Sequence, residues 1–187
     1  MVYGPRQLAE SFRTVRKHTI TIAEEIPAEQ YDFRAAPGVK SAGEMLAHIA
    51  ISPNSQIALH QERLATVDFS KYATTVAKRK ADEQALRSKD DIIAALRDGG
   101  ERFAAFLGAL SPQMLEEVVS FPPPVQPSQR TRFEMLLSVK EHEMHHRAQL
   151  MLIQRMIGQV PHLTRQMQER MAAMMAAGSP AGAQAQR

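Results

Sequence analysis

The stretch KEHEMHHRAQL, residues 140–150, sets His142, His145 and His146 almost side by side in a chain that has seven histidines in all. Imidazoles so grouped can ligate a divalent ion, handle protons near neutral pH, or crowd a helix surface without chemistry, and the cluster alone leaves all three open. Helical spacing narrows the choice. Positions four apart differ by about 40° around the axis and about 6 Å along it, so His142 and His146 project from one face and can converge on one ion. His145 lies about 60° from His142 on the other side and stands at the edge of such a site.

A third ligand from elsewhere in the chain favours metal. The strongest candidate is His48, in VKSAGEMLAHIA, because it falls on an apolar-striped helix where an unpaired polar side chain would be costly to bury. Glu44, one turn earlier, could hold a ring N–H of His48 and so fix its tautomer. Its competing role, a capping box with Ser41, carries more weight. Pro53 removes the hydrogen bond to the Ile49 carbonyl and should kink the helix just beyond His48.

Four long helices must position these residues. Leu8, Phe12, Val15, Thr19, Ile22 and Ile26 recur at helical spacing after Pro5, which predicts a helix from about Pro5 to Ile26, ended by Pro27. Ser41 and Glu44 open the second, with Met45, Ile49, Ile57 and Leu64 as its core stripe. Ser88 and Asp91 open the third, whose Ile92, Leu96, Phe103, Phe106 and Leu110 face one way despite Gly99 and Gly100. Thr131 and Glu134 open the fourth, which Met135, Leu136, Leu137, Met151, Leu152 and Met156 carry to Gly158. The charged stretch from about Gln61 to Lys89 is too long for a simple turn and predicts one long crossover. SFPPPVQPSQR cannot be helical; its prolines predict an extended path across one end of the bundle. The expected architecture is all-α: a four-helix bundle with a long crossover over residues 1–162, a short Met-rich C-terminal helix over 163–177, and a disordered tail over 178–187.

Composition excludes several function classes. The chain has 187 residues, 44% of them apolar, which suits one domain with one sizeable core. A formal charge of +3 with interspersed signs and ten aromatics (Tyr 3, Phe 7, Trp 0) predict no nucleic-acid partner. No apolar run approaches the roughly 18 residues a membrane span needs, and the N-terminus lacks a signal-peptide core, so a soluble cytoplasmic protein is expected. With Cys 0, disulfides, thiolate ligands and a cysteine nucleophile are all excluded, and any thiol chemistry needs an external thiol.

APGVKSAGEMLAHIA followed, in the last long helix, by HEMHHRAQL and RMIGQVPH resembles the DinB/YfiT-like superfamily of four-helix proteins, over about Arg6 to His162. In that family one histidine of helix two and two histidines four apart in helix four bind a divalent metal. Matched residue by residue these are His48, His142 and His146, the three that geometry selects. The chain departs from the family pattern at Ala148, where Gly is usual, at Pro53, and in its Met-rich extension. The resemblance implies a metal-dependent enzyme acting on a small electrophilic molecule. Thiol-dependent S-transfer or isomerisation comes first, since relatives include thiol S-transferases and a mycothiol-dependent maleylpyruvate isomerase. A metal-dependent hydrolase is the alternative, and a non-catalytic metal-bound helical binding protein is a third reading. Zinc or nickel suits three imidazoles, a low-molecular-weight thiol is the implied co-substrate, and family habit suggests a homodimer.

The remaining polar residues receive lesser roles. Arg147 points away from the metal face toward surface pairing, and Gln149 borders the pocket. His18 is a satisfied histidine at the core boundary. His60 and His162 are placed on the surface, and Glu141 and Glu143 are solvated rather than general bases. Met167, Met171, Met174 and Met175 form an apolar stripe suited to docking or dimerisation.

Overall fold

The structure, a computed structural model, describes residues 3–178; the tail expected to be disordered, from residue 179 on, lies outside the described residues. Its helices are α1 (Pro5–Glu25), α2 (Ala42–Gln61), α3 (Tyr72–Ala85), α4 (Lys89–Ala109), α5 (Pro112–Glu116), α6 (Arg132–Met156) and α7 (His162–Gly178). Helices α1, α2, α4 and α6 form the four-helix bundle, in which α1 and α2 each pack against both α4 and α6. All three expected capping boxes are present: Ser41 with Glu44, Ser88 with Asp91, and Thr131 with Glu134.

The bundle core is divided into two apolar halves. One contains Ile22 and Ile26 of α1, Leu46 and Ile49 of α2, Leu96 of α4, and Leu150 and Ile153 of α6. The other contains Leu8 and Phe12, Phe103 and Leu107, and Leu136 and Val139. Numbers rise from the second half to the first along α1 and α6 and fall that way along α4, so α1 runs parallel to α6 and antiparallel to α4. Helix α2 begins in the first half and ends toward the second, where its Ile57 packs, and so runs parallel to α4. That explains the long crossover. A chain joining two parallel neighbours must return along the bundle, and α3, of 14 residues, spans about 21 Å of that return at 1.5 Å per residue. The long crossover is present, and it carries a helix packed against α2.

Between the two apolar halves lies a polar layer centred on Arg16 of α1, which is 3% exposed. Its Nε and Nη2 each donate to the Glu143 carboxylate of α6 at 2.9 Å, its Nη1 donates to the Leu96 carbonyl of α4 at 2.7 Å, and its Nη2 also reaches the Ile49 carbonyl of α2 at 3.3 Å. One guanidinium thus joins all four bundle helices. Two sequence oddities make room for it. Helix α2 continues through Pro53, whose missing N–H leaves the Ile49 carbonyl free to accept from Arg16. Gly100 lies against the Arg16 stem, where a Cβ would sit 2.7 Å from Cγ, and a Cβ on Gly99 would sit 3.0 Å from the Ala50 carbonyl. Glycines unfavourable to an isolated helix here permit close packing.

Glu143 is thus buried, not solvated as its sequence setting suggested, because it faces α1 where Arg16 awaits it. His60 is also no surface residue: it is wholly buried at the end of α2, where Arg132 Nη1 lies 3.1 Å from its Nδ1. Arg132 continues to the Leu64 carbonyl and the Glu117 carboxylate, both at 2.9 Å. Leu64, expected on the core stripe of α2, lies past the helix end and is exposed. The proline-rich connection forms a small antiparallel hairpin, β1 (Val118–Ser120) with β2 (Gln129–Thr131). The start of the crossover joins it, since Val67 N–H donates to the Ser120 carbonyl and Ser120 N–H to that of Ala65, both at 2.9 Å.

Candidate metal centre

His48 rises from α2, and His142 and His146 from α6, near the level of the polar layer: His48 precedes Ile49, and His142 precedes Glu143. Three imidazole nitrogens converge there. Nε2 of His142 lies 3.2 Å from Nε2 of His48 and 3.1 Å from Nε2 of His146. Together they form a group able to hold a metal ion, with ligand atoms all within 4.8 Å of one another, and no other such group occurs among the described residues. Two nitrogens at bond lengths of about 2.0–2.1 Å from one ion stand about 2.9 Å apart at a right angle and about 3.4 Å at a tetrahedral one. The two observed separations fall between these limits.

The outer ring nitrogens decide what the inner ones present. His48 Nδ1 lies 2.8 Å from Glu83 Oε1, and a carboxylate only accepts, so Nδ1 carries the proton and Nε2 a lone pair. His146 Nδ1 lies 2.7 Å from Gln149 Oε1, which makes its Nε2 a lone pair as well. His142 stands between two inward lone pairs and has one N–H at most to offer them. The Ser52 hydroxyl, 3.5 Å from His48 Nε2, already donates to the His48 carbonyl at 2.6 Å, so at least one half-buried acceptor is left without a proton, an arrangement that a cation relieves. Burial, and then the neighbouring His146 and His48, push the His142 imidazole down to about 4; burial also lowers His146. Both rings are neutral at pH 7, the protonation state a ligand needs.

Glu83, on α3, is the residue that sequence reasoning missed. The only hint was a weak helical stripe, Val76, Arg79, Glu83 and Leu86, half-buried in an otherwise exposed segment. Glu44, the earlier candidate for holding His48, instead completes its capping box and pairs with Arg34 at 2.6 Å. Arg34 and the Ser41 backbone hold its carboxyl down at about 2. Gln149, expected only to border the site, fixes His146 and also reaches His145 Nε2 at 3.2 Å. His145 itself is exposed and outside the convergent group.

The other histidines do not join. His18 Nδ1 lies 3.0 Å from Nε2 of His162, which is buried at the start of α7 rather than on the surface. The two rings stack at 5.2 Å and tie α7 to α1. Both are pushed below the usual imidazole value by burial. Arg147 is half-buried and feels the Glu143 charge, and burial lowers its pKa.

No curated protein matches the chain. Among solved structures, a DinB-like protein of Bacillus subtilis superposes with a TM-score of 0.59 at 21% identity, covering 82% of this chain and 94% of that one, a likeness of fold. The sequence profile of the DinB superfamily matches residues 11–150, a span that starts in α1, ends in α6 and contains all three convergent histidines. A parallel crossover bundle with this histidine arrangement and that match leads to one assignment: the chain belongs to the DinB superfamily.

Proposed function

We propose that His48, His142 and His146 hold one divalent ion, zinc or nickel, and that the chain uses it to react an external thiol with a small electrophile. The observation that carries the metal is the pair of inward lone pairs on His48 and His146, enforced from outside by Glu83 and Gln149. Three neutral imidazoles and no carboxylate suit zinc or nickel better than iron or manganese. When bound, such an ion lowers the pKa of a coordinated thiol or water and so supplies a nucleophile at neutral pH. The protein's own groups do the rest. Glu83 accepts the His48 proton hydrogen bond and keeps that imidazole oriented and basic, and Gln149 does the same for His146. Having no cysteine, the chain offers no thiol of its own, which supports an external thiol. Hydrolysis by bound water is the second reading.

Metal content comes first: purified protein should carry one equivalent, and His142→Ala should abolish it while His145→Ala keeps it. Unchanged metal in His142→Ala would sink the ligand set. Metal-loaded protein should then accelerate consumption of an electrophilic substrate in the presence of at least one of a panel of low-molecular-weight thiols, with the effect lost in His48→Ala. Cleavage of ester or amide substrates without any thiol effect would replace the transferase with a hydrolase. No response to either panel would leave a non-catalytic metal-bound protein.

A further inference from the structure

A cavity of about 310 Å³ lies between α2, the crossover, the hairpin and α6, in the size range of small-ligand sites. Leu59, Val76, Val119 and Met135 give it apolar walls. Its charged members are mostly engaged. Lys71 faces Glu62 at 3.6 Å, and the Asp68 carboxylate accepts the Ser70 N–H at 2.8 Å. Arg79 is the exception. Its Nε is buried without a hydrogen bond, 3.4 Å from Glu83 Oε1, and its guanidinium makes none to any described residue. Glu83 compensates it only in part, because that carboxylate also serves His48 at 2.8 Å and Lys40 at 3.6 Å. The guanidinium is therefore incompletely compensated at the cavity wall, one carboxylate away from His48. Gln56, also in the lining, has a buried side-chain oxygen without a partner.

Unused guanidinium donors beside an apolar wall select a particular ligand chemistry. A carboxylate matches the guanidinium fork, and a hydrocarbon body fills the cavity. We propose that Arg79 anchors the carboxylate of a small organic acid whose apolar part lies along Leu59, Val76 and Val119, in a cavity that Arg79 and Glu83 link to His48. Its role as substrate rests on the metal-centre reading; its binding to Arg79 does not. Arg79 thereby sets the substrate class: an amphipathic acid in preference to a neutral molecule of the same shape.

The test uses hexanoate and its uncharged match hexanamide, titrated calorimetrically into full-length protein, both metal-loaded and chelator-treated. Hexanoate should bind in both forms, with hexanamide at least tenfold weaker. Arg79→Gln should lose at least tenfold in hexanoate affinity, and Arg79→Lys, which keeps the charge but not the fork, should lose less. Equal binding of hexanamide, no binding of hexanoate, or an unchanged Arg79→Gln would overturn the proposal. Hexanoate binding that disappears with the metal would overturn it too, by placing the carboxylate on the ion. Protein that never takes up metal but still binds hexanoate through Arg79 would refute the metal-centre reading alone.

Discussion

Replacing Arg16 by Met tests the polar layer most directly. Arg16 and Glu143 are 3% and 2% exposed, so the substitution leaves a carboxylate in the bundle interior without its hydrogen-bonded counterion, with Arg147 as its remaining electrostatic neighbour. It also strips a donor from the Leu96 and Ile49 carbonyls. Breaking a buried pair from one side costs about 3–5 kcal/mol, mostly the stranded charge. For a chain of 187 residues each kcal/mol moves the melting temperature by about 2–4 °C, so a fall of roughly 6–20 °C is expected. Met keeps the Cγ that packs on Gly100, which confines the change largely to the charge. Adding Glu143→Leu removes the stranded carboxylate and should restore most of the loss, since apolar replacement of a whole buried pair is often neutral. Urea unfolding in chelator, run as a double-mutant cycle, gives the coupling directly. A loss below about 1 kcal/mol for Arg16→Met, or a double variant no better than the single, would refute the claim that a buried, mutually dependent pair holds the bundle centre.

Glu83→Ala should weaken metal affinity roughly 10- to 100-fold in chelator competition while leaving one site at saturating metal, since only the outer support of His48 is lost. Acid should destabilise the metal-free protein before its carboxylates titrate. Burial holds His60 down at about 4 against the ordinary imidazole value of 6.5, so the unfolded chain takes the proton first, and stability falls as pH drops from 6.5 toward 4. At pH 4.5 His60 accounts for about 2–3 kcal/mol of that fall at 1.36 kcal/mol per unit. His60→Gln, which does not titrate, should therefore show a shallower urea-midpoint decline over this window; an equal slope would rule His60 out. The Met-rich face of α7, with Met174 and Met175 74% and 75% exposed, should mediate a homodimer, so a chain ended at Gly158 should halve in mass by light scattering. A monomeric full-length protein would refute that expectation.

What the sequence disclosed depended on whether a feature was local. Capping boxes such as Ser41 with Glu44 need only a three-residue spacing and a following apolar stripe, and they located three of the four bundle helices. The His142 and His146 pair is also local, a matter of helical pitch. Glu83 was hidden because α3 is exposed along most of its length and has no continuous apolar stripe to announce it. The three-residue strands of the hairpin are too short to show a period of two. Glu143 and His60 were misplaced for a different reason. Polar residues are read as exposed unless a partner is visible, and their partners, Arg16 and Arg132, stand 127 and 72 positions away. Pro53 and Gly100 looked like defects in their own helices and make sense only once the Arg16 guanidinium is in place.

The polar layer also bears on how the bundle chooses its alignment. Apolar stripes repeat at every turn, so two packed helices slid by one turn, about 5.4 Å, meet a similar stripe again. A leucine core tolerates such a slip; the Arg16 layer does not. Moving α6 one turn past α1 would bring Arg16 opposite Val139 in one direction and Arg147 in the other, a hydrocarbon or a second cation in place of Glu143. The buried pair thus acts as an indexing pin for the helix axes. His142 is the residue next to Glu143 and His48 the residue next to Ile49, whose carbonyl Arg16 also grips, so one guanidinium sets the height at which imidazoles from two helices meet.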